Sequence, residues 1–341
     1  MSNQQLQTFA RADEGAHQPS TDESWQESVL LCWFDDRSGI GGSHRIGQEV
    51  NRGSANAWCG VMTDEGQRFR SNPLDLPLQT SDRGSTHLRA GDYGFEFGET
   101  GGTYVVHTAD CEMELEFTDF YEPLGAWDQR EESKVGNELG VSNHFEAAGR
   151  ISGHARLGER HFDVDGLCQR GHSWGPLDWS RSAGTRWCSG TCGPTLSFTG
   201  IIAQDLDYNV LKGGMVMRDG LLTVADDIDF CVLLEPDGMS IRGGMATWFL
   251  RDGTTLELTC EPIDGVVFNI HERIGEVDSI CRVSDGHDNV GFCNLLVWNG
   301  LHRIAPVLSS FGANIDEGLS HRGRKQPRPW PTRWTAGGGH V

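Results

Sequence analysis

Residues Gly149 to Trp179 read GRISGHARLGERHFDVDGLCQRGHSWGPLDW. This stretch predicts a strand, a glycine turn and a second strand, followed by a tight glycine-rich turn that carries histidine, serine, tryptophan and aspartate. Large aromatic side chains beside ionisable groups at a strand end are costly to hold unless they line a cavity. We therefore place the candidate site in this stretch and expect its bend, from His172 to Trp179, to lie in a water-poor interior.

The sequence on either side of this stretch has the alternation of β-strands. Between Cys111 and Phe117, apolar residues alternate with glutamates, which predicts a strand with one wet face. Ser28 to Phe34 reads as a buried strand. In the second half, apolar runs are separated by Asp-Gly pairs, and such pairs favour hairpin turns because the primed turns need positive φ. The pairs begin at Asp165, Asp219, Asp237, Asp252, Asp264 and Asp285.

Consecutive hairpins without helical spacers predict an antiparallel meander that closes into a barrel. The chain has 341 residues, which is more than one core usually holds, so we expect two domains. The predicted fold is all-β, with two lipocalin-like antiparallel barrels in tandem, at 1–150 and 151–300. A short helix is expected between Leu124 and Leu139, and a basic, disordered tail at 301–341. A barrel of about eight strands can enclose one small ligand.

The charge distribution argues against nucleic-acid binding. The formal net charge is -21, and only the segment after residue 300 is basic, with six Lys/Arg against two acidic residues. No run of about 18 apolar residues is present, so no transmembrane segment is expected. The polar start does not resemble a secretory signal. The ten cysteines form no compact framework, which favours a reducing cytoplasm.

The Gly149–Trp179 stretch is similar to a motif of the carotenoid 1,2-hydratase (hydroxyneurosporene synthase) and AttH-like group of tandem lipocalin-like proteins. Two positions depart from that motif, because Gly171 stands where it has an acid and Leu177 where it often has arginine. The resemblance implies two lipocalin-like barrels around a cavity for an apolar ligand. It also implies activities such as hydration of isoprenoid double bonds, dehydration or pericyclic ring closure. The matching residues are Gly149, Arg150, Gly153, Gly166, Arg170, His172, Ser173, Trp174, Gly175, Asp178 and Trp179.

The chemistry of hydration suggests a role for each side chain of the bend. Asp178, if shielded from water, is the expected proton donor, and His172 positions or deprotonates the water. Trp174 and Trp179 flank the developing cation. The remaining candidates are Arg170, Arg150 and Ser173 as substrate-binding residues, with Asp35 and Asp36 as second-rank acids.

Each of these residues also has a structural interpretation. The tryptophans could plug a barrel end, His172 could donate to a carbonyl, and Asp178 could cap backbone N–H groups. Arg150 and Arg170 could tie strand ends together. No cofactor and no metal site is expected, and the Cys188 and Cys192 spacing is read as a structural turn rather than a zinc site.

The favoured function is a cofactor-independent hydratase, dehydratase or isomerase that acts by acid catalysis on an apolar, terpenoid or steroid-like molecule. The alternative is a protein that binds such a molecule without altering it. A less favoured alternative is a serine hydrolase, because GHSWG matches Gly-x-Ser-x-Gly and a set of Ser173, Asp205 and His271 can be named. That nucleophile elbow requires a parallel strand before the serine and a helix after it.

Overall fold

The fold was obtained as a computed structural model, which describes residues 11–125, 143–178, 182–207, 209–235, 240–271, 274–300 and 316–321. These residues form an all-β protein, as the sequence predicts, with three short 3-10 turns at Arg11–Glu14, Val50–Arg52 and Thr80–Asp82. Among the described residues, no helix has the length and apolar character needed to cross a bilayer. The strands are β1 (Trp25–Asp35), β2 (Ile40–Glu49), β3 (Ser54–Thr63), β4 (Gln67–Ser71), β5 (Leu76–Pro77), β6 (Arg83–Gly84), β7 (His87–Ala90), β8 (Tyr93–Phe97), β9 (Gly101–His107), β10 (Cys111–Asp119), β11 (Leu124–Gly125), β12 (Asn143–Leu157), β13 (Arg160–Pro176), β14 (Ser182–Thr191), β15 (Leu196–Asp205), β16 (Val210–Arg218), β17 (Leu221–Leu234), β18 (Ile241–Leu250), β19 (Thr255–His271), β20 (Ile274–Ser284), β21 (Val290–Gly300) and β22 (Gly318–His321).

The strands form two antiparallel units. The second unit is a closed barrel in which β14 to β21 follow one another in chain order. The first unit is an open sheet with the order β22-β4-β3-β2-β1-β13-β12-β10-β9-β8-β7-β6. It curls so that Val61 of β3 and Leu88 of β7 lie in one hydrophobic core. The first unit is therefore a curled half-barrel, and beside the closed barrel of the second unit it agrees with the predicted tandem of lipocalin-like barrels.

Period-two patterning explains how the sheets acquire their faces. In β10, Cys111, Met113, Leu115 and Phe117 are buried while the intervening glutamates are exposed, as predicted. In β1, Leu31 and Trp33 belong to the core of the first unit, whereas Cys32 and Phe34 pack between the two units. Successive side chains of a strand point to opposite faces, so β1 contributes both to the core of the first unit and to the interface between the units.

The Asp-Gly prediction is correct at some pairs and wrong at others. Asp219-Gly220, with positive φ at both residues, connects β16 to β17. Asp165-Gly166 and Asp264-Gly265 instead lie inside β13 and β19. At Gly166 the reason is a close approach, because an added Cβ would lie 2.2 Å from the Phe34 carbonyl oxygen. At Asp264 the reason is an ion pair with the buried Arg68. The pair that begins at Asp237 lies outside the described residues.

The predicted boundary at residue 150 falls inside β12, which pairs with β10 and β13 of the first sheet. The change from one unit to the other comes between Pro176 and Ser182. Of the predicted helix from Leu124 to Leu139, the first two residues form β11, and 126–139 lie outside the described residues. In the segment predicted to be a disordered tail, Gly318–His321 pairs with β4 as a strand.

The two units pack face to face. Strands β1 and β3 of the first unit contribute Phe34, Trp58 and Met62 to a shared apolar cluster. Phe268 of the barrel stacks on Trp58 with ring centroids 5.6 Å apart. Gly60 permits this approach, since a Cβ there would lie 2.4 Å from Val266. The barrel members of the cluster are Ile263, Val266, Phe268, Ile280 and Phe292.

Candidate functional site

The interface between the two units continues from this apolar cluster into a layer of buried polar side chains, which we call the polar layer. Its members come from the outward faces of both sheets, and cross-strand register places them side by side. Cys32, for example, lies opposite Ser43 on one neighbouring strand and Gln169 on the other. Burial of so many polar groups is costly unless they bind one another or a ligand. The members are Gln26, Ser28, Ser43, Arg45, Asn56, His144, Glu146, Gln169, Ser189, Glu276, Asp278 and Asn294.

Two carboxyl groups of β20 form the acidic part of the layer. Glu276 and Asp278 are two residues apart on one strand and therefore point to the same face. Burial raises the pKa of Glu276 well above its ordinary value, and the negative charge of Asp278 raises it further. Burial also raises the pKa of Asp278, although donors from Ser43 and Asn294 oppose this. Glu276 is therefore the carboxyl group of the pair that keeps its proton to the higher pH.

Hydrogen bonds orient the acidic pair. Ser43 Oγ donates to Asp278 Oδ2 at 2.7 Å, and Asn294 Nδ2 donates to Asp278 Oδ1 at 2.8 Å. Glu276 hydrogen-bonds Asp278. Its Oε1 atom has no hydrogen-bond partner among the described residues. Glu276 thus combines a raised pKa with one carboxyl oxygen left for another molecule.

Arg45 supplies positive charge to the layer. Its Nη1 donates to Asn56 Oδ1 at 2.6 Å and its Nη2 to Gln26 Oε1 at 3.2 Å. The guanidinium also lies 4.6 Å from the centre of the Trp58 ring. Burial lowers the pKa of Arg45 to about 10, with Glu276 and Glu49 opposing the decrease, so it remains charged at neutral pH.

A hydrogen-bonded chain of serine, histidine and glutamate lies on the same face of the first sheet. Register pairs His144 of β12 with Ser173 of β13. Ser173 Oγ lies 2.6 Å from His144 Nδ1, and His144 Nε2 lies 3.0 Å from Glu146 Oε1. Gln169 Nε2 donates to the other oxygen of Glu146. A hydroxyl joined to an imidazole that is oriented by a carboxylate can accept a proton from a bound molecule.

Glu146 also accounts for one departure from the motif. It pairs with Gly171 across the ladder, and its Oε1 would lie 3.3 Å from a Cβ at that position. An acid is therefore present beside residue 171, but the neighbouring strand supplies it.

Several buried polar atoms of this layer have no hydrogen-bond partner within the part of the chain that the structure describes. They lie on both sheets, and two of them belong to Gln26 of β1 and Gln169 of β13. Unpartnered buried atoms are uncommon in proteins, and a group of them indicates a place for a ligand or water. The atoms are Gln26 Nε2, Trp58 Nε1, Gln169 Oε1, Glu276 Oε1 and Asn294 Oδ1.

His172, the predicted base, lies on the opposite face of β13. It is fully buried, and its Nε2 lies 3.1 Å from Glu27 Oε1. Burial lowers the pKa of His172, so the ring is neutral. Although burial raises the pKa of Glu27, hydrogen bonds from His17 and His172 outweigh this and hold it at about 2. His172 therefore belongs to the core of the first unit and not to the polar layer.

The ligand atoms of His17, Glu27 and His172 lie within 4.8 Å of one another, which is close enough to hold a metal ion. Arg83 Nη2 already donates to Glu27 Oε2 at 2.8 Å. The one carboxylate is thus neutralised, and the group has no negative charge left for a divalent cation. The ring of Trp174 stacks on His17 at 3.8 Å, so this tryptophan covers the same group.

The two predicted arginines both connect parts of the first unit. Arg170 is buried and pairs with Glu14 and Asp119, at 2.6 Å in each case. Arg150 is exposed and pairs with Asp165 at 2.7 Å. Their geometry agrees with the structural interpretation and not with substrate binding.

The predicted acids are also placed away from the layer. Asp178 is exposed, so the shielding from water that its role required is not met, and Trp179 lies outside the described residues. Asp35 is buried but accepts hydrogen bonds from the turn, including Ser38 Oγ at 2.6 Å. Asp36 is exposed and pairs with Arg282. Among the predicted site residues that the structure describes, Ser173 alone reaches the polar layer.

The nucleophile-elbow interpretation of Ser173 is wrong, because the serine lies inside an antiparallel strand with β1 and β12 on either side. Its histidine partner is His144 of the neighbouring strand. Asp205 binds Asn209 in an exposed turn at 2.8 Å.

Comparison with known proteins assigns the chain to a family. A family model described as a domain of unknown function, DUF7064, matches residues 10–299. The chain belongs to the DUF7064 family. None of the curated proteins compared with the chain matches it.

Solved structures share the fold of this DUF7064 protein. The AttH-type protein NE1406 of Nitrosomonas europaea is 12% identical, with a TM-score of 0.61 over 87% of this chain and 98% of its own. CghA, crystallised with Sch210972, is 11% identical, with a TM-score of 0.60 over 82% and 89%. Kievitone hydratase of Nectria haematococca is 8% identical, with a TM-score of 0.55 over 87% and 94%. The AttH-like part of the predicted resemblance is thus supported in fold, whereas carotenoid 1,2-hydratase is not among these structures.

Proposed function

We propose that this protein is a hydro-lyase, which adds water to an apolar small molecule or removes it, at the polar layer between the two units. The observation that carries the proposal is the buried carboxyl group of Glu276, whose pKa is raised and whose Oε1 atom has no hydrogen-bond partner among the described residues. A carboxyl group that keeps its proton at neutral pH is a suitable general acid. The fold shared with a hydratase supports the same reaction class.

The chain of Ser173, His144 and Glu146 is proposed as the matching base. Dehydration needs a base to remove a proton from carbon and an acid to protonate the departing hydroxyl, and hydration is the reverse. Asp278, the neighbour of Glu276, and Glu146 both lie close enough to Cys32 for their charges to raise the pKa of its thiol, which burial raises most. In the dehydration direction, the Ser173 hydroxyl accepts the proton from carbon as His144 takes the serine proton. Glu276 then donates its proton to the leaving oxygen, which departs as water.

The charge of the layer favours one class of substrate. A free carbocation is disfavoured beside Arg45, because the guanidinium already lies on the face of Trp58. An oxyanion is favoured there, with Arg45 and the Gln26 amide as its neighbours. We therefore expect a double bond conjugated to a carbonyl, on a terpenoid or steroid-like skeleton, in preference to an isolated alkene.

The test incubates the full-length protein with apolar enones, isolated alkenes and the corresponding hydroxy compounds in heavy-oxygen water. The proposal expects isotope incorporation that falls at least 100-fold in Glu276→Gln and in Ser173→Ala, the range that general acid and base catalysis supply. Asp178→Asn, an exposed carboxylate changed in the same way, is expected to retain activity. Binding without turnover across the panel would instead identify a carrier, and activity lost only in Asp178→Asn would refute the assignment of the acid.

A further inference from the structure

The interior of the barrel contains a group of three cysteines that the proposed reaction does not use. Cys188 of β14, Cys260 of β19 and Cys293 of β21 are fully buried. Their three Sγ atoms lie within 4.8 Å of one another, and those of Cys260 and Cys293 are 3.8 Å apart. All three belong to the hydrophobic core of the barrel. We call them the thiol triangle.

The spacing of the thiol triangle fits trigonal coordination of a soft ion. Thiolate sulfur binds ions of this kind at about 2.3 Å, so three sulfurs around one ion are about 3.4 Å apart in a pyramidal complex and about 4.0 Å apart in a planar one. The sulfurs are therefore already close to the positions that such a complex needs. Tetrahedral zinc would require a fourth ligand.

Charge decides which ion suits an apolar interior. A buried net charge without a partner is strongly unfavourable. Three thiolates around a divalent or monovalent ion leave the complex negative, whereas three thiolates around a trivalent ion give a neutral complex. The surroundings of the triangle are apolar core residues, including Leu258, Val267 and Leu295. The neutral complex is the one that this site can hold without a counterion.

We propose that Cys188, Cys260 and Cys293 bind a trivalent thiophilic metalloid, As(III), as a neutral tris-thiolate. Arsenous acid loses its three hydroxyl groups as three waters, and each departing oxygen takes the proton of one thiol. Three As–S bonds form, three As–O bonds break, and no atom changes oxidation state. This site is inside the barrel, so it does not depend on the hydro-lyase proposal.

The experiment uses the full-length chain, reduced with a phosphine and incubated with sodium arsenite for hours, because buried sulfurs are reached only by local opening. After desalting, bound arsenic is measured by elemental mass spectrometry. The proposal expects one arsenic per chain. Arsenite should also raise the thermal midpoint, as any ligand of the folded state does.

Single serine variants of the triangle provide the decisive comparison. Cys188→Ser, Cys260→Ser and Cys293→Ser are each expected to bind arsenite at least tenfold more weakly. Cys59→Ser is the matched control, because Cys59 is a buried thiol next to Cys111 in the other unit. Circular dichroism establishes that each variant is folded before arsenite is added. No retained arsenic in the wild type, or equal retention in the triangle variants and the control, would overturn the proposal.

Discussion

Ser43 Oγ donates a 2.7 Å hydrogen bond to Asp278 Oδ2 and so joins β2 of the half-barrel to β20 of the barrel, 235 residues away. The acid pair and its first donor thus come from different units. Arg45 of β2 acts on Glu276 in the same way, because its charge opposes the rise in the glutamate pKa. The polar layer is therefore a property of the packed pair of units, and neither unit could form it alone.

The stability of Glu276→Gln relative to the wild type is expected to increase as pH rises. Burial, helped by Asp278, raises the pKa of Glu276 in the folded state above its unfolded value of about 4.3. The favourable contribution of this group is complete below about pH 4.3 and is lost as pH rises through the folded pKa. The amide of the glutamine cannot lose a proton, so the variant does not lose this stability at high pH.

The measurement is the thermal midpoint of wild type and Glu276→Gln at pH 5 and at pH 8.5. The thermal midpoint of the variant minus that of the wild type should be higher at pH 8.5 than at pH 5 by at least about 2 °C. This shift corresponds to roughly 1 kcal/mol in a chain of this size. Glu114→Gln, on the exposed face of β10, should show no such trend. A difference that stays constant with pH would contradict the protonated state assigned to Glu276.

Arg170→Ala and Arg150→Ala are expected to differ strongly in stability. Arg170 is buried between Glu14 and Asp119, and its removal breaks the buried ion pairs with both carboxylates. Such a loss costs about 3 to 5 kcal/mol of unfolding free energy. The pair of Arg150 and Asp165 is exposed, with 65% and 44% of the side chains accessible, and contributes about 1 kcal/mol or less. Urea unfolding of the two variants measures the difference, and similar losses would show that the two sites were wrongly distinguished.

Gly166→Ala is expected to destabilise the first unit. A Cβ at this position would lie 2.2 Å from the Phe34 carbonyl oxygen, and backbone atoms can give way only by shifting the strand. Overpacking of this kind costs about 1 to 3 kcal/mol. Gly98→Ala is the control, since its nearest atom would be 3.7 Å away. Equal unfolding free energies for the two variants would contradict the prediction, because they would mean that β1 and β13 can move apart around a new Cβ without a loss of stability.

Local patterning predicted most of the fold. The alternation in Cys111 to Phe117 correctly predicted β10, and the apolar run from Ser28 to Phe34 lies within β1. The pattern could not show which strands have their outward face covered by the other unit. In β20, Glu276 and Asp278 alternate with inward apolar residues just as the exposed glutamates of β10 do. Only the packing of the two units, which joins distant parts of the chain, distinguishes a wet face from a buried site.

The same limit explains why the histidine was misassigned. His172 and Ser173 are neighbours in sequence, but neighbours in a strand point to opposite faces. The serine faces the polar layer, while the histidine faces the core with Glu27. His144, which contacts Ser173, lies 29 residues before it on the other strand of a hairpin. The sequence alone does not give the register of that hairpin. The motif is nevertheless informative, because its serine reaches the site and Gly166 is required by close packing.

His44→Gln is expected to reduce the sensitivity of the fold to acid. His44 is fully buried between Trp33, whose Nε1 donates to His44 Nε2 at 2.7 Å, and the ring of Tyr104. Burial lowers the pKa of His44 to about 3. In the unfolded chain the pKa is about 6.5, so the unfolded state takes up a proton first as pH falls. The contribution of His44 is therefore complete above about pH 6.5 and is lost as pH falls towards 3.

Glutamine can still accept the hydrogen bond from Trp33 but does not titrate. Between pH 7 and pH 4.5, the wild type should lose about 2 to 3 kcal/mol more unfolding free energy than His44→Gln, since one pKa unit corresponds to about 1.4 kcal/mol. The measurement is urea unfolding at the two pH values. His154→Gln serves as the control, because His154 is 81% exposed and should leave the acid sensitivity unchanged. If both variants keep the full acid sensitivity of the wild type, the buried imidazole of His44 is not its source.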